Sequence, residues 1–162
     1  MSIRIIITGG TFDKKYDEIE GELTFKETQL PKILRQVRVT IPITFETNQL
    51  IDSLHMTAED RQSILSACQV ALETQIIITH GTDTMVDTAR LLGQAELEKT
   101  IVLTGAMVPY SVFGSDALFN LGTGVSAVQL LPFGVYISIN GRIFTWDNVQ
   151  KDRLRGLFET LE

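Results

Sequence analysis

Three short apolar segments of this chain end in nearly the same way, and their repetition constrains the fold more than any other feature. They read IIITGGT (5–11), IIITHGT (76–82) and IVLTGAM (101–107). Each is a branched aliphatic run that predicts a strand, followed by threonine and a turn of small residues. Segments with helical spacing separate them. This alternation predicts a mostly parallel sheet with helices on both faces.

The complete pattern predicts a single three-layer αβα domain of the α/β class over residues 1–162. Strand-like runs cover 3–8, 39–45, 76–79, 101–104 and 134–140. Helical patterns cover 28–37, 57–73, a segment after Gly81, 115–131 and 150–161. Pro42 makes the second strand either an edge strand or an irregular one, and Thr57 is the expected N-cap of the second helix. The charged segment 12–27 predicts a hairpin, either simply solvated or a mobile flap beside the site.

Composition and charge restrict the classes of partner that this chain is expected to bind. The chain has 14 Lys and Arg against 20 Asp and Glu, a net charge of −6, which argues against nucleic acid. The basic cluster of Lys151, Arg153 and Arg155 is too short to reverse that balance. No apolar run reaches the roughly 20 residues of a membrane helix, and the N-terminus lacks the pattern of a signal peptide. We therefore expect no membrane partner and a cytoplasmic location.

The sequence gives no sign of a metal or another cofactor. Cys68 is the only cysteine and lies in a helical apolar pattern, which favours a buried small hydrophobe. Neither His55 nor His80 has a second ligand at metal-binding spacing. A G-x-G-x-x-A match at 122–127 lies inside a helical pattern rather than after a strand, so we expect no dinucleotide.

The chemistry is expected where the three repeated strands end, because ligands of open parallel sheets bind beyond the carboxyl ends of the strands. The turns offer Thr11, Thr82 and Thr84, with Asp83 among them. Hydroxyls beside a carboxylate can perform nucleophilic acyl chemistry if a base is near. His80 is predicted to be a structural hydrogen-bonding residue, and a lysine near its neutral form can replace histidine as the base.

At these residues the chain resembles the bacterial-type L-asparaginase family, in a short form that matches its N-terminal catalytic domain. The resemblance covers essentially all 162 residues and implies that domain's fold. Its segments are TGGTF (8–12), DSLHM (52–56), THGTDTM (79–85), LTGAMVP (103–109), SDALFNL (115–121) and WDNVQK (146–151).

The resemblance implies a catalytic set and no cofactor. Thr11 is similar to the family nucleophile that attacks the side-chain amide carbon. Thr82, Asp83 and Lys151 resemble a second set, in which the lysine relays a proton through the threonine. Tyr16 resembles the flap tyrosine that orients the nucleophile. Which threonine attacks first is left open.

The resemblance also implies a substrate-binding set. Its members are Gly10, Ser53, Leu54, Gly81, Thr82, Asp83 and Ala106. Asp83 would pair with the substrate's α-amino group, Ser53 would hold its α-carboxylate, and the backbone of Ala106 would contact the scissile amide. Backbone amides near Gly10 and Thr82 would serve as oxyanion donors. Leu54 replaces a polar family residue, so one substrate contact is expected to be lost.

These roles imply an amidohydrolase that converts L-asparagine to L-aspartate and ammonia, with L-glutamine as an alternative substrate. Two other functions stay open: an amino-acid-binding or regulatory module with weak catalysis, and a glutaminase or amidotransferase subunit that needs a partner chain. The usual family chain has a C-terminal domain, and this sequence ends at Glu162. We therefore expect a homodimer or higher homo-oligomer, since symmetric association would cover apolar surface.

Overall fold

The computed structural model describes residues 1–161 and contains ten strands and four α-helices within them. The strands are β1 (Ile3–Gly9), β2 (Lys15–Asp17), β3 (Glu22–Thr24), β4 (Ile43–Ile51), β5 (Gln75–Thr79), β6 (Thr100–Thr104), β7 (Gly134–Ile139), β8 (Arg142–Thr145), β9 (Gln150–Asp152) and β10 (Leu157–Glu159). The helices are α1 (Leu30–Gln36), α2 (Ala58–Val70), α3 (Met85–Gln94) and α4 (Ala117–Leu130). Short 3₁₀ turns lie at Thr11–Asp13 and Ser53–His55.

A six-stranded sheet in the order β4-β1-β5-β6-β7-β8 forms the middle layer. All its pairs are parallel except β7 with β8. Successive side chains of a strand face opposite sides. Accordingly, Ile76 and Ile78 pack in the core beside α2 and α3, whereas Ile77 packs in the core beside α1 and α4. The predicted α/β architecture is confirmed.

The strand predicted at 39–45 has the wrong bounds. β4 begins at Ile43, directly after Pro42, and continues to Ile51. Among residues 1–161 it pairs only with β1 and lies at the edge of the sheet, which is one of the two alternatives that the proline indicated. The polar run ETNQ at 46–49 hid its second half, because an edge strand needs no continuous apolar sequence.

The helix starting at residue 58 has the N-cap that its sequence predicts. Thr57 Oγ1 accepts a hydrogen bond from the backbone N–H of Asp60 at 3.2 Å. The Asp60 carboxylate accepts one in return from the Thr57 N–H at 2.7 Å. This reciprocal capping box satisfies two N–H groups that the helix cannot satisfy itself.

The predicted helix at 150–161 is wrong: this segment forms the antiparallel β9–β10 hairpin. The Asp152 carboxylate accepts hydrogen bonds from the backbone N–H groups of Leu154 and Arg155, at 2.9 and 3.1 Å. Gly156 follows with a φ of 64°. An aspartate turn followed by a glycine in the left-handed region turns the chain back instead of letting a helix continue.

Strand β8 was not predicted, although its signal is present. Asn140 and Gly141 connect β7 to β8 with φ values of 55° and 71°. An Asn-Gly pair with two positive φ angles is typical of a two-residue hairpin turn.

The predicted hairpin within 12–27 does form, as β2 and β3. Among residues 1–161, no helix combines the length and apolar character that a membrane crossing requires.

Candidate active site

The turns after β1, β5 and β6 pack backbone against backbone through their glycines. A Cβ added to Gly10 would collide with the backbone of Gly81, and one added to Gly105 would collide with the carbonyl oxygen of His80. Gly10 also has a φ of 81°, which side chains rarely adopt. Glycine is therefore required for this close approach, which places the residues following each turn around one point.

The threonines that end the three repeated strands are structural. Thr8, Thr79 and Thr104 are completely buried. Thr8 Oγ1 donates a hydrogen bond to the Thr79 carbonyl at 2.8 Å, and Thr104 Oγ1 donates to the Ser138 carbonyl at 2.7 Å. The Thr8 and Thr104 hydroxyls join neighbouring strands just below the turns, so the hydroxyls available for chemistry are those of the turns themselves.

Lys151 lies between two residues of the β5 turn. Its Nζ donates to Thr82 Oγ1 at 2.8 Å and to Asp83 Oδ1 at 2.7 Å. The lysine side chain is only 8% exposed, whereas that of Asp83 is 35% exposed. Thr82 Oγ1 also donates a weak hydrogen bond to the Met107 sulfur at 3.5 Å. A hydroxyl, a carboxylate and an amine thus share one hydrogen-bonded unit.

Thr11 stands on the adjoining turn. It is half-buried and opens the 3₁₀ turn that follows Gly10. Its carbonyl accepts a hydrogen bond from the Lys14 N–H at 3.2 Å, which fixes the backbone. Within residues 1–161 its hydroxyl has no hydrogen-bond partner. The Thr11 side chain is therefore free to contact a bound molecule.

Ser53 and Leu54, which follow β4, are placed differently. Ser53 is buried beside Gly81, and its Oγ accepts a hydrogen bond from the Thr84 N–H at 3.3 Å. Thr84 Oγ1 donates to the Ser53 carbonyl at 2.8 Å, so the two segments are joined twice. Leu54 is exposed and offers an apolar side chain.

Two residues that position the β6 turn were missed from the sequence. The N–H of Met107, which follows the buried Ala106, donates to both carboxylate oxygens of Asp116 at 3.0 Å. Asn120 donates to the Gly105 carbonyl at 3.0 Å. Both lie in the SDALFNL segment, and an Asp and an Asn four residues apart lie on the same side of a helix start. That spacing was the available signal.

Tyr16 lies apart from this group. It sits in β2, opposite Leu23 of β3, and is 64% exposed. Its hydroxyl has no hydrogen-bond partner among the described residues. In this structure, Tyr16 therefore does not orient Thr11 by a direct hydrogen bond.

His80 and Cys68 take no part in the site. His80 is completely buried, and burial lowers the pKa of its imidazole to about 4. Nδ1 donates to the Gly81 carbonyl and Nε2 accepts from the Thr88 hydroxyl, both at 2.8 Å, so neither nitrogen is free to act as a base. Burial raises the pKa of the Cys68 thiol to about 12, which makes it unreactive. Within residues 1–161, no cluster of three or more His, Cys, Asp or Glu is arranged to hold a metal ion.

Comparison with known proteins identifies the family of this chain. The family model "Asparaginase, N-terminal" matches residues 2–157, and the chain belongs to the asparaginase family. L-asparaginase 1 of Escherichia coli is 28% identical over an alignment of 165 residues that covers 96% of this chain and 48% of that protein. The chain thus spans about half the length of this relative.

Two further matches extend the comparison. The structure of the thermostable L-asparaginase from Thermococcus kodakarensis superposes with a TM-score of 0.86 at 28% identity, over 99% of this chain and 51% of that one. A glutamyl-tRNA(Gln) amidotransferase subunit of Saccharolobus islandicus is 32% identical over 143 residues, 82% of this chain and 31% of that protein. The matching proteins are therefore named for different reactions.

Proposed function

We propose that this chain is an L-asparagine amidohydrolase that uses a threonine nucleophile. The observation that carries the proposal is the placement of Lys151 Nζ within 2.8 Å of Thr82 Oγ1 and 2.7 Å of Asp83 Oδ1. A nucleophilic hydroxyl, an amine in contact with a second hydroxyl, and backbone N–H groups at glycine turns are the parts that amide hydrolysis requires. L-asparagine is the proposed substrate, and L-glutamine is the alternative.

In the proposed reaction, Thr11 Oγ attacks the side-chain amide carbon of the substrate. Thr11 is assigned the first attack because its hydroxyl is free, whereas the Thr82 oxygen already accepts a hydrogen bond from Lys151. Lys151 gives a proton through Thr82 to the leaving nitrogen, the proton of the Thr11 hydroxyl restores the lysine ammonium, and ammonia departs. Water then hydrolyses the ester on Thr11, which releases L-aspartate and restores the hydroxyl.

The substrate would be held around the β5 turn. Asp83 Oδ1 binds Lys151, which leaves Oδ2 for the substrate's α-ammonium group. Ser53 contacts the α-carboxylate, and the backbone of Ala106 contacts the scissile amide. The N–H groups beside Gly10 and at Thr82 are the proposed donors to the developing oxyanion. Such preorganised donors commonly contribute about 10²- to 10³-fold to the rate.

A second candidate function is a glutaminase or amidotransferase subunit that releases ammonia only with a partner chain. The match to the amidotransferase of Saccharolobus islandicus favours it as the alternative. A further alternative is a binding or regulatory module that keeps the pocket but has no turnover. Ammonia release by the purified chain alone rejects both, whereas saturable binding of L-asparagine without release supports the binding module.

The test measures ammonia release from L-asparagine and from L-glutamine by the purified chain and by three variants. We expect Thr11→Ala and Thr82→Ala to lower kcat by at least about 100-fold, the usual range for loss of a nucleophile or proton-transfer group. Thr123→Ala is the matched control, since the Thr123 hydroxyl only donates to the Phe119 carbonyl within α4. Wild-type activity no higher than that of the two site variants would reject the proposal.

A further inference from the structure

The basic cluster seen in the sequence separates into three different environments. Lys151 enters the site. Arg155 lies 3.4 Å from the Asp152 carboxylate and 3.7 Å from that of Glu159, so its charge is compensated within the hairpin. Arg153 is exposed and, within residues 1–161, has no carboxylate within ion-pair distance. Within this cluster, Arg153 therefore carries the charge that no described carboxylate neutralises.

Arg153 is nevertheless attached to the site. Its Nη2 donates a hydrogen bond to the Asp83 carbonyl oxygen at 3.1 Å. The guanidinium therefore lies on the segment that carries Thr82 and Asp83. A guanidinium has five N–H donors in a planar fork, and this contact uses one of them. The others remain available to an anion.

One cation at the β5 turn, that of Arg153, is paired with no carboxylate of residues 1–161. Lys151 and Asp83 neutralise each other at 2.7 Å, and Lys14 and Asp52 do the same at 2.6 Å. Arg153 remains, in a chain whose net charge is −6. A positive group at the mouth of a site on an acidic protein attracts anionic ligands.

The side of the site expected to hold the substrate's carboxylate offers no unpaired cation of its own, because Lys14 is paired with Asp52. Ser53 contributes one hydroxyl, which already accepts a hydrogen bond from the Thr84 N–H, and Leu54 is apolar. A carboxylate accepts about four hydrogen bonds and binds most strongly to a charged planar donor. Arg153 is the uncompensated cation attached to the same turn.

We propose that Arg153 is a specificity-determining residue that binds a carboxylate of the substrate. The site consequently selects amides that carry a free carboxylate near the amide to be cleaved. This inference rests on the proposed amidohydrolase function for its kinetic test. The guanidinium forms two parallel hydrogen bonds to the carboxylate, and Ser53 contributes a further contact.

The kinetic test compares L-asparagine with its α-methyl ester, which lacks the carboxylate but keeps the scissile amide. We expect Arg153→Gln to raise KM for L-asparagine by about 10- to 100-fold, typical of a charge-assisted bidentate contact, with kcat nearly unchanged. KM for the ester stays the same or falls. Arg153→Lys restores part of the affinity, because it keeps the charge but loses the fork.

Arg155→Gln is the matched control. It removes the same charge from the same hairpin turn, but it leaves the hydrogen bond between Arg153 and the Asp83 carbonyl in place. It should leave KM for both substrates unchanged. Equal losses on L-asparagine and its ester, or equal losses in the two arginine variants, would overturn the proposal.

A binding measurement separates this inference from the proposed function. Titration calorimetry with L-aspartate, which carries the same α-carboxylate, needs no turnover. A wild-type chain that binds L-aspartate but releases no ammonia contradicts the amidohydrolase, while weaker binding to Arg153→Gln alone still supports the role of Arg153. Wild-type and Arg153→Gln chains that bind L-aspartate equally, or a wild-type chain that does not bind it, contradict that role.

Discussion

The β2–β3 and β9–β10 hairpins, which lie outside the six-stranded sheet, have the same secondary structure and opposite attachments. The β9–β10 hairpin buries Phe158 in the core and places the Lys151 amine against the β5 turn. The β2–β3 hairpin leaves Tyr16 and Ile19 exposed, the latter at 88%. One hairpin is therefore anchored by a buried aromatic side chain, and the other extends into solvent from its base.

The base of the β2–β3 hairpin is held by a buried carboxylate. Asp13 is 1% exposed, and its Oδ1 accepts hydrogen bonds from the Gln29 N–H at 2.8 Å and the Thr28 hydroxyl at 3.1 Å. Oδ2 is buried without a partner among the described residues. Burial raises the pKa of this carboxyl, against the effect of the two hydrogen bonds. Asp13 thus joins the chain entering the hairpin to the chain leaving it.

This difference assigns different roles to the two hairpins. A catalytic amine must be positioned to within a fraction of an ångström, which favours an element fixed by a buried aromatic side chain. An element with few buried contacts opens and reorders at low free-energy cost, as segments that cover substrates must. The fixed hairpin should therefore control the rate, and the exposed hairpin should respond to substrate.

The largest expected effect is on the fixed hairpin. Lys151→Met keeps the length of the side chain but removes the amine, and we expect kcat to fall by about 10²- to 10⁴-fold, the range for loss of a proton-transfer group. Lys26→Met is the matched control, because Lys26 follows β3 and pairs at 2.9 Å with Asp17 of the exposed hairpin. Steady-state ammonia release checks both. Comparable losses in the two variants would remove the distinction between the hairpins.

The secondary structure of the fixed hairpin was also the least accessible to prediction from the sequence. Leu154, Leu157, Phe158 and Leu161 recur at helical spacing. Local periodicity alone therefore favours a helix. Phe158 instead packs in the core as part of a strand, and Lys151 bonds to a residue 68 positions away. Such long-range contacts override local preference, and a single sequence does not contain them.

The core of the fold was more accessible to prediction. The aliphatic runs of β1, β5 and β6 are buried on both faces, so their composition alone identifies them. The group of Lys151 with Thr82 and Asp83 was inferred from family resemblance, since no spacing rule connects them. Arg153 was seen only as part of a charge cluster, because its isolation from carboxylates depends on how the hairpin folds.

The next largest effect concerns the base of the exposed hairpin. Asp13→Ala removes the acceptor from the buried Gln29 N–H, and we expect the free energy of unfolding to fall by about 1–3 kcal/mol. Asp13→Asn keeps one acceptor oxygen and should lose less. Urea denaturation of both variants checks the order. A smaller loss for alanine than for asparagine would show that Asp13 does not hold the hairpin base.

The same residue gives a pH dependence with a defined sign. Because the pKa of Asp13 is raised on folding, the unfolded chain releases this proton at lower pH than the folded chain does. The Asp13 contribution to stability is therefore fully present below the ordinary aspartate pKa of about 3.9 and is lost as pH rises through the folded value. As the pH rises from about 4 to 7, the free energy of unfolding of the wild type should fall more steeply, or rise less, than that of Asp13→Asn. Parallel profiles would contradict this coupling.

The smallest expected effect is at Tyr16, where the comparison between the hairpins is tested most directly. Its hydroxyl contacts no described residue, so Tyr16→Phe should change the free energy of unfolding by less than about 0.5 kcal/mol, as surface substitutions usually do. If the exposed hairpin orders over the substrate and the hydroxyl then contacts Thr11, kcat falls by about 10-fold, the value of one hydrogen bond of about 1.4 kcal/mol in the transition state.

Tyr136→Phe is its control, because the Tyr136 hydroxyl donates only to the Pro132 carbonyl at 3.3 Å. A kcat that falls in Tyr16→Phe alone, with stability unchanged, means that Tyr16 acts only after the hairpin moves, since the resting structure holds it in solvent. An unchanged kcat in Tyr16→Phe would mean that the Tyr16 hydroxyl makes no catalytic contact from the exposed hairpin. The rate would then depend on the turns and the fixed hairpin alone.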